Sequence, residues 1–324
     1  MKPLLSVLII SYNHEQYIEQ TLESVINQKT TFPFEIVIGD DASPDNTRAI
    51  CMKYAKKYPN LVRVMPATNN LGVVPNYIRT LEACEGQFIA HLDGDDYWID
   101  PLKLQKQVDR FRTDSDLTMC YTSRQVFRED WKDISSATER EYLKNYYGKD
   151  LGNGFFSITD GEDNKKYRVE DFCGNAFFHL STLVFKKPVA NTIINHLSRF
   201  KNIVDRPLSI MLLQELGGYA MKIPDVCIVF RMNKNSLFSP ADEVKRNRMT
   251  NEMYATLGEL YPSLAKYFNH HLNVSAYFEL RQAYRQNDKA TVRTLATQII
   301  SRPTFKNNWQ LKFKAALHIP IAIF

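Results

Sequence analysis

Short apolar runs alternate with amphipathic stretches over about the first 120 residues of the chain. A continuous apolar run is typical of a strand buried on both faces of a sheet, whereas apolar residues spaced three and four positions apart are typical of a helix packed on that sheet. The alternation predicts βαβ units and a mainly parallel sheet. The predicted strands are 4–11, 34–39, 61–65, 87–92 and 117–122, and the helices begin near Asn13, Ser43, Pro75 and Asp100.

The pattern becomes irregular between residues 124 and 170, where charged and aromatic residues are mixed with glycines. Such a composition indicates an insertion or a mobile loop region. Beyond it, the chain from 241 to 324 has helical periodicity throughout. We therefore expect an α/β domain over 1–240 and a helical region over 241–324. The later elements predicted within the first domain are strands at 181–186 and 226–231 and helices at 190–200 and 205–216.

The final stretch from Trp309 to Phe324 combines cationic and apolar residues. This combination is typical of a basic helix at a membrane surface, and equally of a terminal helix docked on the protein core. We keep both alternatives, so contact with the inner membrane surface is one expectation for this region.

Composition excludes several classes of protein. A net charge of +5 over 324 residues is too small for a protein that neutralises many phosphates along a duplex, so we expect no nucleic-acid partner. The five cysteines are odd in number, scattered and never in a C-x-x-C pair, which argues against a disulfide framework or a zinc site and favours a reducing cytoplasm. The first apolar run is too short for a signal peptide or a membrane span.

Three carboxylates follow the fourth predicted strand within four residues, in Leu92-Asp93-Gly94-Asp95-Asp96-Tyr97-Trp98. Such charges repel one another unless a cation lies between them. Oxygen ligands at the carboxyl end of a parallel strand suit Mg²⁺ or Mn²⁺, which can bridge to a diphosphate. An acidic loop with a turn-forming glycine explains the segment equally well.

A second acidic pair, Asp40-Asp41, closes the second predicted strand and precedes Ala42-Ser43. This is the edge where open α/β sheets bind ligands, so one carboxylate could accept a hydrogen bond from a base or a ribose. Aspartate and serine also cap helices, and taken alone the pair is better explained by capping.

Four motifs occur in order along the chain: 6–13, 35–43, Asn70-Leu71-Gly72 and 92–98. Together they resemble the family-2 glycosyltransferases, and the similarity extends to about residue 240. The resemblance implies a GT-A fold, with a Rossmann-like central sheet and helices on both faces. It also implies inverting, metal-dependent transfer of a sugar from a nucleotide-diphosphate donor, with a UDP-sugar favoured, to a hydroxyl of a glycan or lipid-linked glycan acceptor during cell-surface polysaccharide or glycan assembly.

The resemblance gives each matched position a role. Nucleotide-binding positions are Ile10, Ser11, Tyr12 and Asn13 around the base, Asp41 as acceptor of the uracil N3 hydrogen, and Asp93 and Asp95 on the ribose and diphosphate side. Metal-binding positions, for Mn²⁺ or Mg²⁺, are Asp96 as the direct ligand, Asp95 and Asn233. Acceptor-side positions are Trp98, Asn175 and His179.

The segment from Ile203 to Leu208 resembles the family's catalytic-base segment, which makes Asp205 the base. From the residues alone, an Asp two positions before Pro207 is better explained as a helix cap. The resemblance favours the base, because direct displacement at an anomeric carbon needs a carboxylate to take the acceptor proton.

A closing motif is indicated by Phe230 to Ser236, in which Arg231 is the diphosphate clamp. Asn233 stands where the family usually has a histidine. An amide oxygen is a weaker metal ligand, so this departure keeps open a noncatalytic nucleotide-sugar-binding subunit. A nucleotidyltransferase is the other alternative, but it normally needs a glycine-rich and basic loop after strand one, where this chain has 12–15 as Tyr-Asn-His-Glu.

Overall fold

A computed structural model describes residues 2–132, 136–158, 161–173, 178–188, 191–232, 243–303 and 309–316 of the protein. The chain forms two compact units. The first comprises Met1–Val169 and Ala176–Ser239, and the second comprises Glu170–Asn175 and Pro240–Phe324.

The first part of the α/β unit alternates strands with helices, as the apolar pattern predicts. Four of the five apolar side chains of the first strand are fully buried and Ile10 is partly buried, which accounts for the continuous apolar run there. In chain order the elements are β1 (Leu5–Ser11), α1 (Ile18–Ile26), β2 (Phe34–Asp40), α2 (Thr47–Lys57), β3 (Val62–Val64), α3 (Val73–Ala83), β4 (Phe88–Asp93), β5 (Tyr97–Trp98), α4 (Lys103–Thr113) and β6 (Leu117–Phe127).

The first helix begins later than its predicted start near Asn13. Asn13 has a left-handed φ of 59°, a conformation that Asn tolerates better than most residues. The His14 carbonyl then accepts the amide hydrogens of Tyr17 and Ile18 in a turn, so the helix starts at Ile18. A turn over residues 14–18 therefore takes the place of the predicted helix start.

The later part of the chain contains regular elements within 124–170, the segment expected to be an insertion or mobile loop region. Strand β6 continues to Phe127, beyond its predicted end at 122. The elements that follow β6 are α5 (Ala137–Tyr147), β7 (Lys149–Gly152), β8 (Phe155–Ile158), β9 (Lys166–Tyr167), α6 (Val169–Phe172), β10 (Val184–Lys186), α7 (Asn191–Leu197), α8 (Asp205–Leu216) and β11 (Tyr219–Arg231).

The described strands form one sheet, in which eight strands follow the order β3-β2-β1-β4-β10-β6-β11-β5. Of the other three, β8 pairs with β6 and β7, and β9 pairs with β11. Strands β3, β2, β1 and β4 are mutually parallel, and β6 pairs in parallel with β11. Strand β10 lies between these blocks and runs antiparallel to both β4 and β6. Because β10 runs opposite to β4, the residues just before β10 come to the carboxyl end of β4. The sheet order therefore brings the segment that precedes β10 beside residues 93–96, which we call the aspartate loop.

From Pro240 onward, the described part of the second unit contains the α-helices α9 (Glu243–Leu260), α10 (Ala265–Arg285), α11 (Lys289–Ser301) and α12 (Trp309–Ala316). Its core includes Leu280, Val292 and Ile299. Among the described residues, no helix has the length and apolar character needed to cross a membrane. Residues 317–324 of the cationic and apolar stretch lie outside the described part of the chain.

Candidate functional site

The carboxyl ends of β1 and β2 are joined through Asp41. The amide of Asp41 donates to the carbonyl of Ser11 at 2.9 Å. Its two carboxylate oxygens accept the amide hydrogens of Leu71 at 2.9 Å and Gly72 at 2.8 Å. Asp41 is only 4% exposed. A single carboxylate therefore ties together the loops that follow β1 and β2 and the Asn70-Leu71-Gly72 motif.

Two large apolar side chains stand open at this junction. Tyr12 is 43% exposed and Leu71 is 42% exposed. Tyr12 follows Ser11, whose carbonyl accepts the Asp41 amide hydrogen, and the Leu71 amide donates to the Asp41 carboxylate. Of the other positions expected around the base, Ile10 is partly buried at the end of β1, and Asn13 donates its amide hydrogen to Ser43 Oγ at 3.1 Å. Hydrogen bonds to backbone groups therefore fix these loops, while the side chains of Tyr12 and Leu71 stay exposed to solvent.

The turn after β2 is built around a buried charge. Asp40 is fully buried and accepts the Ser43 hydroxyl hydrogen at 2.5 Å. Arg48 lies 3.6 Å from its other oxygen. Between these residues, Ala42 has a left-handed φ of 57°, which is unfavourable for a residue with a Cβ. The hydrogen bond between Asp40 and Ser43 therefore holds the turn in a conformation that strains the backbone at Ala42.

The aspartate loop begins where β4 ends. Asp93 is the last residue of β4, and Asp96 follows in a tight turn in which its amide donates to the Asp93 carbonyl at 3.0 Å. The turn that precedes β10 places His179 beside them. One ligand atom from each of Asp93, Asp96 and His179 lies within 4.8 Å of the others. The antiparallel course of β10 is what brings His179 to this edge.

Burial and like charge dominate the electrostatics of Asp96, which is 0% exposed. Burial raises the pKa of Asp96 well above its usual range, and Asp95 and Asp93 act in the same direction. Hydrogen bonds from Ser181 Oγ at 2.6 Å and from the Arg231 amide at 3.0 Å oppose this rise in pKa. The protein thus holds a carboxylate where a negative charge is costly.

Three histidines surround Asp93. Burial raises the pKa of Asp93, but His91, His179 and His14 outweigh that effect and hold it below its usual range. Burial lowers the pKa of His179 to about 3, and the Arg124 charge acts in the same direction. His179 is therefore neutral at neutral pH, and the lone pair of its Nδ1 accepts the Ser181 amide hydrogen at the long distance of 3.4 Å.

The donor set fits a divalent cation. Two carboxylates and a neutral imidazole are ligands for Mn²⁺, while Mg²⁺ prefers oxygen ligands alone. The cation would offset the repulsion between the buried charges of Asp93 and Asp96. The other two positions expected to bind metal are placed differently. Asp95 has its carboxylate 3.9 Å from His14 Nε2, and Asn233 lies outside the described residues.

Three residues support the acidic cluster, and none of them was predicted in that role. His91 is buried in β4, with Nε2 3.0 Å from Asp93 Oδ1. Thr21 of α1 donates to the Asp96 carbonyl at 2.6 Å, and Ser181 contacts both carboxylates. Because side chains alternate along a strand, the spacing of His91 and Asp93 could have indicated a pair on one face. No local pattern indicates Thr21 or Ser181.

Arg231 closes the site from the end of β11. Its guanidinium donates to the Asp95 carbonyl at 2.5 Å and also contacts Gln20. The guanidinium lies over the ring of Tyr97, with 4.4 Å to the centroid, and over that of Tyr17, with 5.2 Å. Burial lowers its pKa from the ordinary arginine value, although nearby acidic groups oppose that effect. The positively charged guanidinium of Arg231 therefore lies directly against the aspartate loop.

Trp98 was expected on the acceptor side, but its indole belongs to the core. Only 4% of the residue is exposed. Its Nε1 donates to the Ser181 carbonyl at 3.1 Å, and the buried Lys103 ammonium lies 4.4 Å from the ring centroid. An indole covered in this way does not fit an acceptor contact. Asn175, another expected acceptor-side residue, lies outside the described residues.

Asp205 is the first residue of α8, and Val204 occupies the N-cap position. The Val204 carbonyl accepts the amide hydrogen of Leu208 at 2.9 Å. Across the described ranges, the Asp205 carboxylate has no hydrogen bond to another residue. The alternative of an N-cap aspartate is therefore not what the structure shows at this position.

Comparison with known proteins was made by sequence and by fold. Residues 6–177, more than half of the chain, match the sequence model of the family described as Glycosyl transferase family 2. The uncharacterized protein Rv1520 of Mycobacterium tuberculosis is 29% identical over 237 residues, which are 73% of this chain and 61% of that protein. The chain thus spans less than two thirds of that relative.

Two further matches carry descriptive names. The Bacillus subtilis protein named as a teichuronic acid biosynthesis glycosyltransferase, TuaG, is 35% identical over 129 residues, covering 40% of this chain and 50% of TuaG. The crystal structure of S. aureus TarS 1-349 in complex with UDP-GlcNAc aligns with a TM-score of 0.56 and 16% identity, covering 99% of this chain and 89% of that one. The fold, with its parallel block and acidic loop, is GT-A. The chain belongs to glycosyl transferase family 2.

Proposed function

We propose that the protein is an inverting, metal-dependent glycosyltransferase that moves a sugar from a nucleotide-diphosphate donor to an acceptor hydroxyl. The observation that carries this proposal is the gathering of Asp93, Asp96 and His179 within 4.8 Å at the carboxyl end of β4. Asp93 and Asp96 lie inside the matched family region, and His179 lies just beyond its end at residue 177. Open α/β sheets bind their ligands at this edge.

We assign the nucleotide to the junction around Asp41. A carboxylate has about four lone-pair sites, and the amides of Leu71 and Gly72 use two of them, so Asp41 retains capacity for the uracil N3 hydrogen. The exposed Tyr12 offers an aromatic face for a base. Ile10, Ser11 and Asn13 complete the loop. The UDP-GlcNAc bound by TarS supports a UDP-sugar as the donor.

We assign the diphosphate to the aspartate loop. Asp93, Asp96 and His179 would hold Mn²⁺, with Asp95 beside them on the ribose and diphosphate side. When bound, the ion would neutralise the charge that develops on the departing diphosphate. Arg231, whose guanidinium already lies at the Asp95 carbonyl, would contribute a further positive charge on the same side.

We assign the proton transfer to Asp205. In a direct displacement, the acceptor oxygen bonds to the anomeric carbon as the bond to the diphosphate oxygen breaks, and the carboxylate accepts the hydroxyl proton. Asp205 is free of the capping role, because the helix begins at this residue and Val204 precedes it as the cap position. The side chain can therefore serve an acceptor hydroxyl.

The Asp205→Asn variant tests this role. It keeps the size of the side chain but cannot take a proton, so we expect transfer to slow by roughly 10²–10⁴-fold with nucleotide affinity unchanged. The measurement is single-turnover transfer at saturating donor, with the melting temperature recorded alongside. The exposed Glu215→Gln in the last turn of the same helix is the matched control and should transfer at the wild-type rate. A folded Asp205→Asn protein that also transfers at that rate would require another base.

Substrate class and the alternative functions are tested together by a panel of nucleotide sugars with Mn²⁺. We expect donor hydrolysis with a UDP-sugar. Binding without any hydrolysis would favour a noncatalytic nucleotide-sugar-binding subunit, and release of pyrophosphate from a nucleoside triphosphate would favour a nucleotidyltransferase. For the acceptor we propose a glycan or lipid-linked glycan in polysaccharide assembly, which the name of TuaG supports.

A further inference from the structure

One residue contacts all three members of the Asp93, Asp96 and His179 cluster. The Ser181 hydroxyl lies 2.6 Å from Asp96 Oδ2 and 3.2 Å from Asp93 Oδ2. It also accepts the amide hydrogen of Asp93 at 3.2 Å. The Ser181 amide donates to His179 Nδ1 at 3.4 Å. Ser181 is thus at the centre of the cluster without offering a charge.

The position of Ser181 is itself fixed. The residue is fully buried in the 3₁₀ turn Leu180–Thr182. Its carbonyl accepts the indole hydrogen of Trp98 at 3.1 Å. The Trp98 amide in turn donates to Ser24 Oγ at 3.1 Å. Because backbone and core hydrogen bonds hold Ser181 on both sides, its hydroxyl has a defined place between the two carboxylates.

The Ser181 hydroxyl can donate a hydrogen bond to only one of the two carboxylates at a time. A serine hydroxyl has one hydrogen to donate and two lone pairs. The shorter distance assigns the hydrogen to Asp96 Oδ2, and a lone pair takes the Asp93 amide hydrogen. The second Asp96 oxygen accepts the Arg231 amide hydrogen at 3.0 Å. Both Asp96 oxygens are therefore oriented by the protein.

We propose that Ser181 is a positioning residue that orients the Asp96 carboxylate and ties it to the backbone of Asp93 for the binding of a divalent cation. The inference rests on the proposed metal-dependent function. It identifies a neutral hydroxyl as the group that links one acidic ligand to the backbone of the other. Outer partners that orient metal ligands commonly change metal affinity by 10–100-fold when they are removed.

The test is direct titration of the full chain with Mn²⁺, following the free ion by electron paramagnetic resonance. We expect Ser181→Ala to weaken Mn²⁺ binding by about 10–100-fold. Ser6→Ala is the matched control, because the Ser6 hydroxyl is also fully buried and donates to a carboxylate, that of Glu35, but does not contact the cluster. Its Mn²⁺ affinity should equal that of the wild type. UDP binding in the presence of chelator should be the same in all three proteins.

A second variant guards against loss of folding. Ser181→Cys keeps a side chain of similar shape but is a weak hydrogen-bond donor, so it should also weaken Mn²⁺ binding. If either folded variant binds Mn²⁺ within twofold of the wild type, the role of Ser181 is overturned while the metal site stands. If the wild type binds no Mn²⁺, the metal-dependent function and the role of Ser181 both fail.

Discussion

Two acidic regions lie at the same edge of the sheet and differ in the groups that surround their carboxylates. At the end of β2, Asp40 and Asp41 are each bound to partners from the protein: Asp40 to a hydroxyl and to Arg48, Asp41 to two backbone amides. At the end of β4, Asp93 and Asp96 lie together with a neutral imidazole. Among the described residues, no lysine or arginine forms an ion pair with Asp93 or Asp96.

The difference separates acidic groups that shape loops from the acidic groups for which we propose cation binding. A buried carboxylate with protein partners stabilises the local backbone, and its removal leaves those partners unsatisfied. Two ionised carboxylates that lie close together without a cationic side chain destabilise the folded protein, and a bound cation would relieve their repulsion. Acidic pairs that look similar in sequence therefore have different consequences when they are changed.

The largest effect is expected for Asp96→Ala. Loss of a direct ligand should weaken Mn²⁺ binding by more than about 100-fold, which exceeds the 10–100-fold typical of an outer partner. Mn²⁺-dependent donor binding should be lost with it, while the circular dichroism spectrum is retained. Asp109→Ala, which removes an exposed carboxylate from α4, should bind Mn²⁺ as the wild type does. Unchanged Mn²⁺ affinity in Asp96→Ala would remove the contrast between the two regions.

An intermediate effect is expected for Asp41→Asn. The amide cannot accept from both Leu71 and Gly72, so nucleotide affinity should fall by about 1–3 kcal/mol for every sugar carried by that nucleotide. Isothermal titration with UDP and with two UDP-sugars measures this. Asp45→Asn is a control in the next turn, where the carboxylate caps α2 through the Thr47 amide. A loss confined to one donor sugar would make Asp41 a sugar contact instead.

The smallest effect is expected for Ala42→Gly. The left-handed φ of 57° costs a residue with a Cβ about 1–2 kcal/mol, whereas glycine loses about 0.4–1 kcal/mol through the freedom of its unfolded chain. The free energy of unfolding in urea should therefore rise by about 0.5–1 kcal/mol. Ala55→Gly within α2 should instead lower it by about 1 kcal/mol. Destabilisation by both changes would show that the turn is not strained.

Local pattern in the sequence predicted most of the α/β elements. The helix Asp205–Leu216 has the predicted bounds, and β1 and β2 differ from their predicted bounds by one residue. Buried apolar runs and helical spacing arise from contacts that each element makes with a single core, so they are visible within a short window. The start of α1 was missed, because a loop conformation at Asn13 took the place of a cap.

The sequence by itself determined that the chain is an α/β protein of this family and that its acidic residues follow particular strands. Only the tertiary structure decided which of those residues act together. His179 and Ser181 reach Asp93 and Asp96 because β10 runs antiparallel beside β4. The same turn before β10 supplies the Ser181 carbonyl to which the buried Trp98 indole donates. Strand order and direction depend on contacts between distant residues, and no local spacing encodes them.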